Sequence, residues 1–121
     1  MSQLTIQLTP KPGGATVVTV SGVADLAGAG ELERAIKGVP PDHMRHVVFD
    51  LGGVTFISSI GIGVLLKIRS WITNDGGRVS LAHVGRMTKE TFTHAGLQKL
   101  LPMYDRVDDA LNAAPPTDPT P

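Results

Sequence analysis

Asp50-Leu51-Gly52-Gly53-Val54-Thr55-Phe56-Ile57-Ser58-Ser59-Ile60-Gly61-Ile62-Gly63-Val64-Leu65 is the stretch from which this 121-residue chain is best read. It is entered from His46-Val47-Val48-Phe49, a short apolar run of the kind that forms a strand covered on both faces. Gly52 to Ile57 reads as a connection, and Ser58-Ser59 open a helix that runs to about Thr73, ended by the turn Asn74-Asp75-Gly76-Gly77. A helix start presents unpaired N–H groups and the positive end of the helix dipole, a favourable place for a phosphate. Gly61 and Gly63 remove side chains that would block close approach by a partner or by the neighbouring backbone.

At about 100° per residue, Ile60, Val64, Leu65, Ile68, Trp71 and Ile72 fall in one apolar arc of roughly 140°, which is expected to face a sheet. Ile62 and Leu66 fall outside that arc, near Arg69 and on the side of Ser59. An extra apolar strip beside a helix-opening serine suggests a docking surface with a modifiable residue at its edge. Residue chemistry alone also allows a plainer account. Either serine is a common helix N-cap, and another element of the domain could cover Ile62 and Leu66.

Outward from this segment the pattern is α/β. Leu4–Leu8 alternates as a half-buried strand, and Thr16–Val20 is a β-branched strand able to pair with it as a hairpin. Ala27–Lys37 is helical, with Asp25 as its expected cap and Gly38–Pro41 as its stop. Arg78–Ala82 alternates as a further strand. Thr88–Leu100 is helical with a break near Gly96, Pro102–Tyr104 is extended, and Arg106–Asn112 forms a last helix. The expected fold is a mixed β-sheet of four or five strands with about four helices packed against it. Residues 1–112 form the domain and 113–121 a disordered tail, since four of the nine prolines lie in the last eight residues.

Composition narrows the function. Hydrophobic residues at 41% support one core, and charged residues at 18% are too few for a solvating disordered chain. Eleven basic residues against eleven acidic leave no field for direct nucleic-acid binding, and five aromatics give no stacking platform. Without cysteine there is no disulfide or thiolate metal site. No signal peptide opens the chain, and the greasy stretch Ile57–Ile72 contains Lys67 and Arg69 and is too short to span a bilayer, so a cytoplasmic protein without membrane insertion is expected.

The segment Asp50–Leu65 resembles the central motif of STAS domains, in particular bacterial anti-sigma-factor antagonists. Their pattern is a strand ending in Asp-Leu-Ser, a hydrophobic loop, Asp-Ser, a variable residue, then Gly, an apolar residue, Gly and a leucine-rich helix. Val20-Ser21-Gly22-Val23-Ala24-Asp25-Leu26 looks like the family's Gly-Glu-Leu-Asp turn. Gly96–Tyr104 with Val107 and Ala110-Leu111 looks like its C-terminal segment, so the resemblance covers roughly residues 4–112. It implies phosphorylation at Ser59 by an anti-sigma factor that is itself a serine kinase. The unphosphorylated form would bind that kinase and release the sigma factor, and a phosphatase would reset the switch. Asp25, Ser58, Gly61, Ile62, Gly63, Leu66 and Arg69 form the expected partner-binding set. Ser58 stands where the family usually has Asp, which makes Ser58 a second candidate phosphoacceptor; Gly52 replaces a common serine, and Val23-Ala24 replaces Glu-Leu.

Other classes have less support. A stand-alone STAS protein can also be a signalling scaffold or a cytoplasmic subunit of a transport system, without a phosphoswitch. A small enzyme would need His43, His46, His83 or His94 to serve Ser59 as base, yet the Gly-x-Ser-x-Gly elbow is absent and no carboxylate or histidine cluster marks a metal. No catalytic residue and no cofactor are therefore expected, and His43 and His46 read as surface residues. Gly61 and Gly63, with Asp25 and Asp50, point weakly to a nucleotide, because no Walker lysine accompanies them. The oligomeric state is not legible.

Overall fold

A computed structural model describes residues 4–113. The expected tail lies outside the described residues from position 114 onward. Five strands, β1 (Leu4–Lys11), β2 (Ala15–Ala24), β3 (His46–Ile57), β4 (Arg78–Ala82) and β5 (Met103–Tyr104), stand side by side in chain order. β1 and β2 form the expected antiparallel hairpin, and every later pairing is parallel. Parallel neighbours need crossovers, supplied by α1 (Leu26–Lys37), α2 (Ser59–Asn74) and α3 (Arg86–His94), while α4 (Val107–Asn112) follows β5. The break at Gly96 is a left-handed residue, φ 74°, which ends the helical run after α3 and starts a short 3-10 turn at Leu97–Lys99.

Strand alternation splits the core in two. Val18, Val20, Val47, Phe49, Leu51, Val79 and Leu81 face the main core with Leu32 and Ile36 of α1, Leu65, Ile68 and Ile72 of α2, and Phe92 of α3. Val48 and Ala82 face the other way, onto Ala110 of α4. Burial of each large aliphatic or aromatic side chain here stabilises the fold by about 1.5–3 kcal/mol. On the outer side Glu33 joins α1 to α2, with Lys67 Nζ at 3.0 Å and Lys37 Nζ at 3.7 Å. Both ammonium groups lie over the half-buried Trp71 ring, 5.5 and 5.0 Å from its centroid.

Three expectations are corrected. Gly52–Ile57 is the second half of β3, because residues 53–57 pair in parallel with Ser21–Ala24 after β4 has ended. Register shifts between Thr19 and Ser21 and between Gly22 and Val23 absorb the irregularity that Gly52-Gly53 announces. α3 begins two residues early, at Arg86.

His46 is not a surface residue. It is 6% exposed at the start of β3, where its Nε2 lies 2.8 Å from the buried Ser80 Oγ of β4. Burial, helped by the nearby Arg78 charge, lowers its pKa from 6.5 to about 4. Between those two pH values the unfolded chain binds one more proton at this site than the folded one. Stability is therefore fully present above pH 6.5 and drains away as pH falls towards 4. Thermal melts should show a loss on the order of 1 kcal/mol between pH 7 and 5, screening included, that His46→Gln abolishes. Equal pH slopes in the two proteins would contradict this.

Candidate functional site

The site is built where β2 and β3 end together. Ala24 pairs with Ile57 at the last rung, and the Ala24 carbonyl accepts two hydrogen bonds from Ser58, one from its N–H at 3.1 Å and one from its hydroxyl at 2.9 Å. The same Ser58 Oγ accepts the Gly61 N–H at 3.1 Å, so Ser58 is the N-cap of α2. Asp25, next in chain to Ala24, caps α1 by accepting the Gly28 N–H on Oδ1 at 3.1 Å. Two helix starts thus lie against one strand end.

Within this frame the two serines differ. Ser58 is half-buried, with its hydroxyl engaged as donor and acceptor. Ser59 is the first residue of α2 and is exposed. Its position in the first helical turn, where backbone N–H groups lack intrahelical acceptors, suits a negative charge.

The two glycines also part. A Cβ on Gly61 would sit 2.9 Å from the Ala24 carbonyl oxygen and 2.9 Å from Ile57 Cγ1, so Gly61 is what lets α2 lie against the strand end. A Cβ on Gly63 would meet nothing within 4 Å.

The expected apolar strip is displaced. Gly61, Leu65, Ile68 and Ile72 form the buried line of α2, and this rotation turns Ile60 outward, 48% exposed. Ile62 and Leu66 are half-buried and packed against the main core. Arg69 lies ten residues beyond Ser59, about 15 Å along the helix, with Nε donating to the Leu100 carbonyl at 2.7 Å. It therefore belongs to another part of the surface. Sequence reasoning missed Phe56 and Met87, which are 56% and 81% exposed and line one groove of about 230 Å³ with Ile57, Thr88 and Thr91. Leu26, at the start of α1, is 70% exposed. Strand alternation gives no simple signal for Phe56, because the register shift between Gly22 and Val23 leaves Thr55 out of the pairing.

Asp50 and the four histidines do not join Ser59. Asp50 Oδ1 lies 2.9 Å from His83 Nδ1 and accepts the Gly52 N–H at 3.0 Å. His83 holds a left-handed backbone, φ 55°, uncommon outside glycine, at the point where β4 stops and β3 continues. Among the described residues no group of three or more His, Cys, Asp or Glu side chains is placed to hold a metal ion.

Residues 7–110 match the STAS domain, and the chain belongs to that family. Its relatives are bacterial anti-sigma-factor antagonists. It is 30% identical over 98 residues to the anti-sigma-F factor antagonist RsfB of Mycobacterium tuberculosis, covering 81% of this chain and 80% of the relative. It is 28% identical over 103 residues to BtrV of Bordetella bronchiseptica, a protein described as an anti-sigma factor antagonist, covering 85% and 89%. The crystal structure of an anti-sigma factor antagonist from Mycobacterium paratuberculosis superposes with a TM-score of 0.75 at 32% identity, covering 89% of this chain and 91% of that one. The mixed five-stranded sheet with four helices is the fold expected of such a protein. No helix among the described residues is long and apolar enough to cross a membrane.

The contrast between the glycines is testable by thermal denaturation. Gly61→Ala should destabilise the domain by about 1–3 kcal/mol, because the strand end must move. Gly63→Ala should stabilise it by about 0.5–1 kcal/mol through helix propensity. Equal effects at both positions would contradict the packing described.

Proposed function

We propose that this protein is an anti-sigma-factor antagonist that docks an anti-sigma factor with serine-kinase activity and is released by phosphorylation at Ser59. The observation that carries the reading is the division of labour between the serines. Ser58 is committed to capping α2 and holding Ala24, while Ser59 is exposed at the first turn of the helix. Ser58 accepts the Gly61 N–H as the family's Asp would, so its substitution keeps the cap and removes only the charge.

The docking face in this reading is the end of the sheet around Ser59: Phe56 and Met87 across their groove, with Ile60 and Leu26 beside the two helix starts. Large exposed apolar side chains gathered at one end of a small domain fit a protein partner. Of the expected set, Asp25, Gly61, Ile62 and Leu66 act by shaping this end, and Gly63 leaves room for an approaching chain. A phosphate on Ser59 adds roughly −1.5 to −2 charges and a tightly held hydration shell where apolar contact is required. A phosphatase would restore the docking form. In this reading the protein works in the cytoplasm, where a sigma-factor regulator acts.

A binding role rather than Ser/His catalysis is supported by the chemistry of the one serine–histidine contact among the described residues. Ser80 and His46 are both buried, and burial with the Arg78 charge holds the imidazole pKa down at about 4, a poor general base.

Incubation with the anti-sigma-factor kinase of the same genome, followed by phosphopeptide mass spectrometry, tests the site. Ser59→Ala should bind the kinase and remain unphosphorylated. Ser58→Ala should still be phosphorylated, with a stability loss of about 1 kcal/mol from the missing cap. Undiminished phosphorylation of Ser59→Ala would overturn the assignment.

The face is tested separately. Met87→Asp should keep the melting temperature and weaken kinase binding roughly tenfold or more, the scale of one lost apolar anchor. Unchanged affinity would exclude Met87 from the interface.

A further inference from the structure

The two edges of the sheet are built differently. β5 closes one side with only two residues, Met103 and Tyr104, too short to template another chain. β1 closes the other side with eight residues in unbroken register against β2, from Leu4 opposite Gly22 to Lys11 opposite Ala15. The register shifts of the sheet lie between β2 and β3, so no bulge twists β1 away.

Proteins guard such an edge with lysine, proline or an inward-pointing charge. Here Pro10 and Lys11 guard one end, while Thr5-Ile6-Gln7-Leu8-Thr9 carries no charge, glycine or proline. As the last strand on its side, β1 turns alternate N–H and C=O groups of this segment away from β2, and no other element among the described residues pairs with them. Alternation puts Ile6 and Leu8 on the side of the main core, where Ile6 packs and Leu8 is 39% exposed. Thr5, Gln7 and Thr9 share the opposite face.

The segment is complementary to itself in the antiparallel sense. With Gln7 on a two-fold axis, Thr5 lies opposite Thr9 of a second copy, Ile6 opposite its Leu8, and Gln7 opposite its Gln7. Hydroxyl meets hydroxyl, aliphatic meets aliphatic and amide meets amide, all favourable cross-strand neighbours. Leu8, with Pro10, Val39 and Pro40, lines a hollow of about 270 Å³ beside this edge, and Ile6 of the second copy would cover the exposed flank of Leu8. Charge agrees as well: Lys11, the single charge of β1, falls outside the five paired residues, so no like charges meet at the seam.

We propose that β1 pairs with β1 of a second copy of this chain, joining two five-stranded sheets into one ten-stranded sheet about an axis at Gln7. The contact is isologous and closes at the dimer, leaving only the two-residue β5 as an edge. Five paired residues a side fall well short of the roughly 20–30 of a standard interface, so the dimer is reversible and forms at about 100 µM. Ser59 lies where β2 and β3 end, away from this edge, and the inference does not depend on the phosphoswitch.

Sedimentation equilibrium of the full chain from about 10 µM to about 1 mM tests the pairing, with the mass expected to rise towards twice that of the monomer. Amide exchange at the high concentration should slow within residues 5–9. Gln7→Lys sets two ammonium groups opposite each other on the axis. Because Gln7 is exposed, the variant should keep the melting temperature of the dilute protein and weaken dimerisation roughly fivefold or more. Gln7→Glu should weaken it likewise, and an equimolar mixture of the two variants should recover the dimer. A wild type that stays monomeric at about 1 mM would overturn the proposal. So would a dimer indifferent to Gln7→Lys, a mixture that does not recover, or slowed exchange centred on Phe56 and Met87. Slowing at residues 5–9 that appears only when a different protein is added would assign the edge to that partner and overturn it too.

Discussion

The arrangement at Ser59 depends on the carbonyl of Ala24. This one oxygen takes both the N–H and the hydroxyl of Ser58, at the rung where β2 and β3 end. Because Gly61 has no side chain, α2 can start directly against it. Because Asp25 follows Ala24, α1 starts from the same point. Any residue that moved the strand end would move both helices, and with them Ser59 and the apolar side chains of Leu26, Phe56 and Ile60. A capped, half-buried junction beside an exposed serine gives a partner a preorganised surface, so less ordering entropy opposes binding.

The two ends of the parallel strands carry different chemistry. The end after β2 and β3 is apolar and carries the exposed Ser59 hydroxyl. The end before β3 and β4 holds the buried His46–Ser80 pair, with Arg78 donating to the Ala113 carbonyl at 2.9 Å. α2 spans the distance between them, with Ser59 in its first turn and Arg69 and Thr73 in its second half. One helix thus reaches both surfaces, while its buried line of Gly61, Leu65, Ile68 and Ile72 holds it on the sheet.

Much of this was legible in the sequence because local chemistry agreed with the fold. Asp25 and Ser58 are ordinary N-cap residues at helix starts, and the β-branched run Thr16–Val20 pairs as its pattern implies. The misreadings have tertiary causes. Gly52-Gly53 looks like a loop, yet pairing with β2 carries β3 on to Ile57. The rotation of α2 was misjudged because an apolar moment weighs every isoleucine alike. The close approach at Gly61, invisible in such a sum, decides that Ile60 faces outward and Ile62 and Leu66 lie half-covered. His46 is buried through tertiary contacts such as Ser80, 34 residues away, which meets its ring.

The central claim is that one phosphate at Ser59 decides docking. Calorimetric titration of the anti-sigma-factor kinase with the unmodified protein and with protein phosphorylated to completion at Ser59 addresses it directly. The account predicts that phosphorylation weakens binding at least tenfold, about 1.4 kcal/mol or more. Equal affinity of the two forms would contradict it and leave Ser59 as an exposed helix-start residue without a switching role.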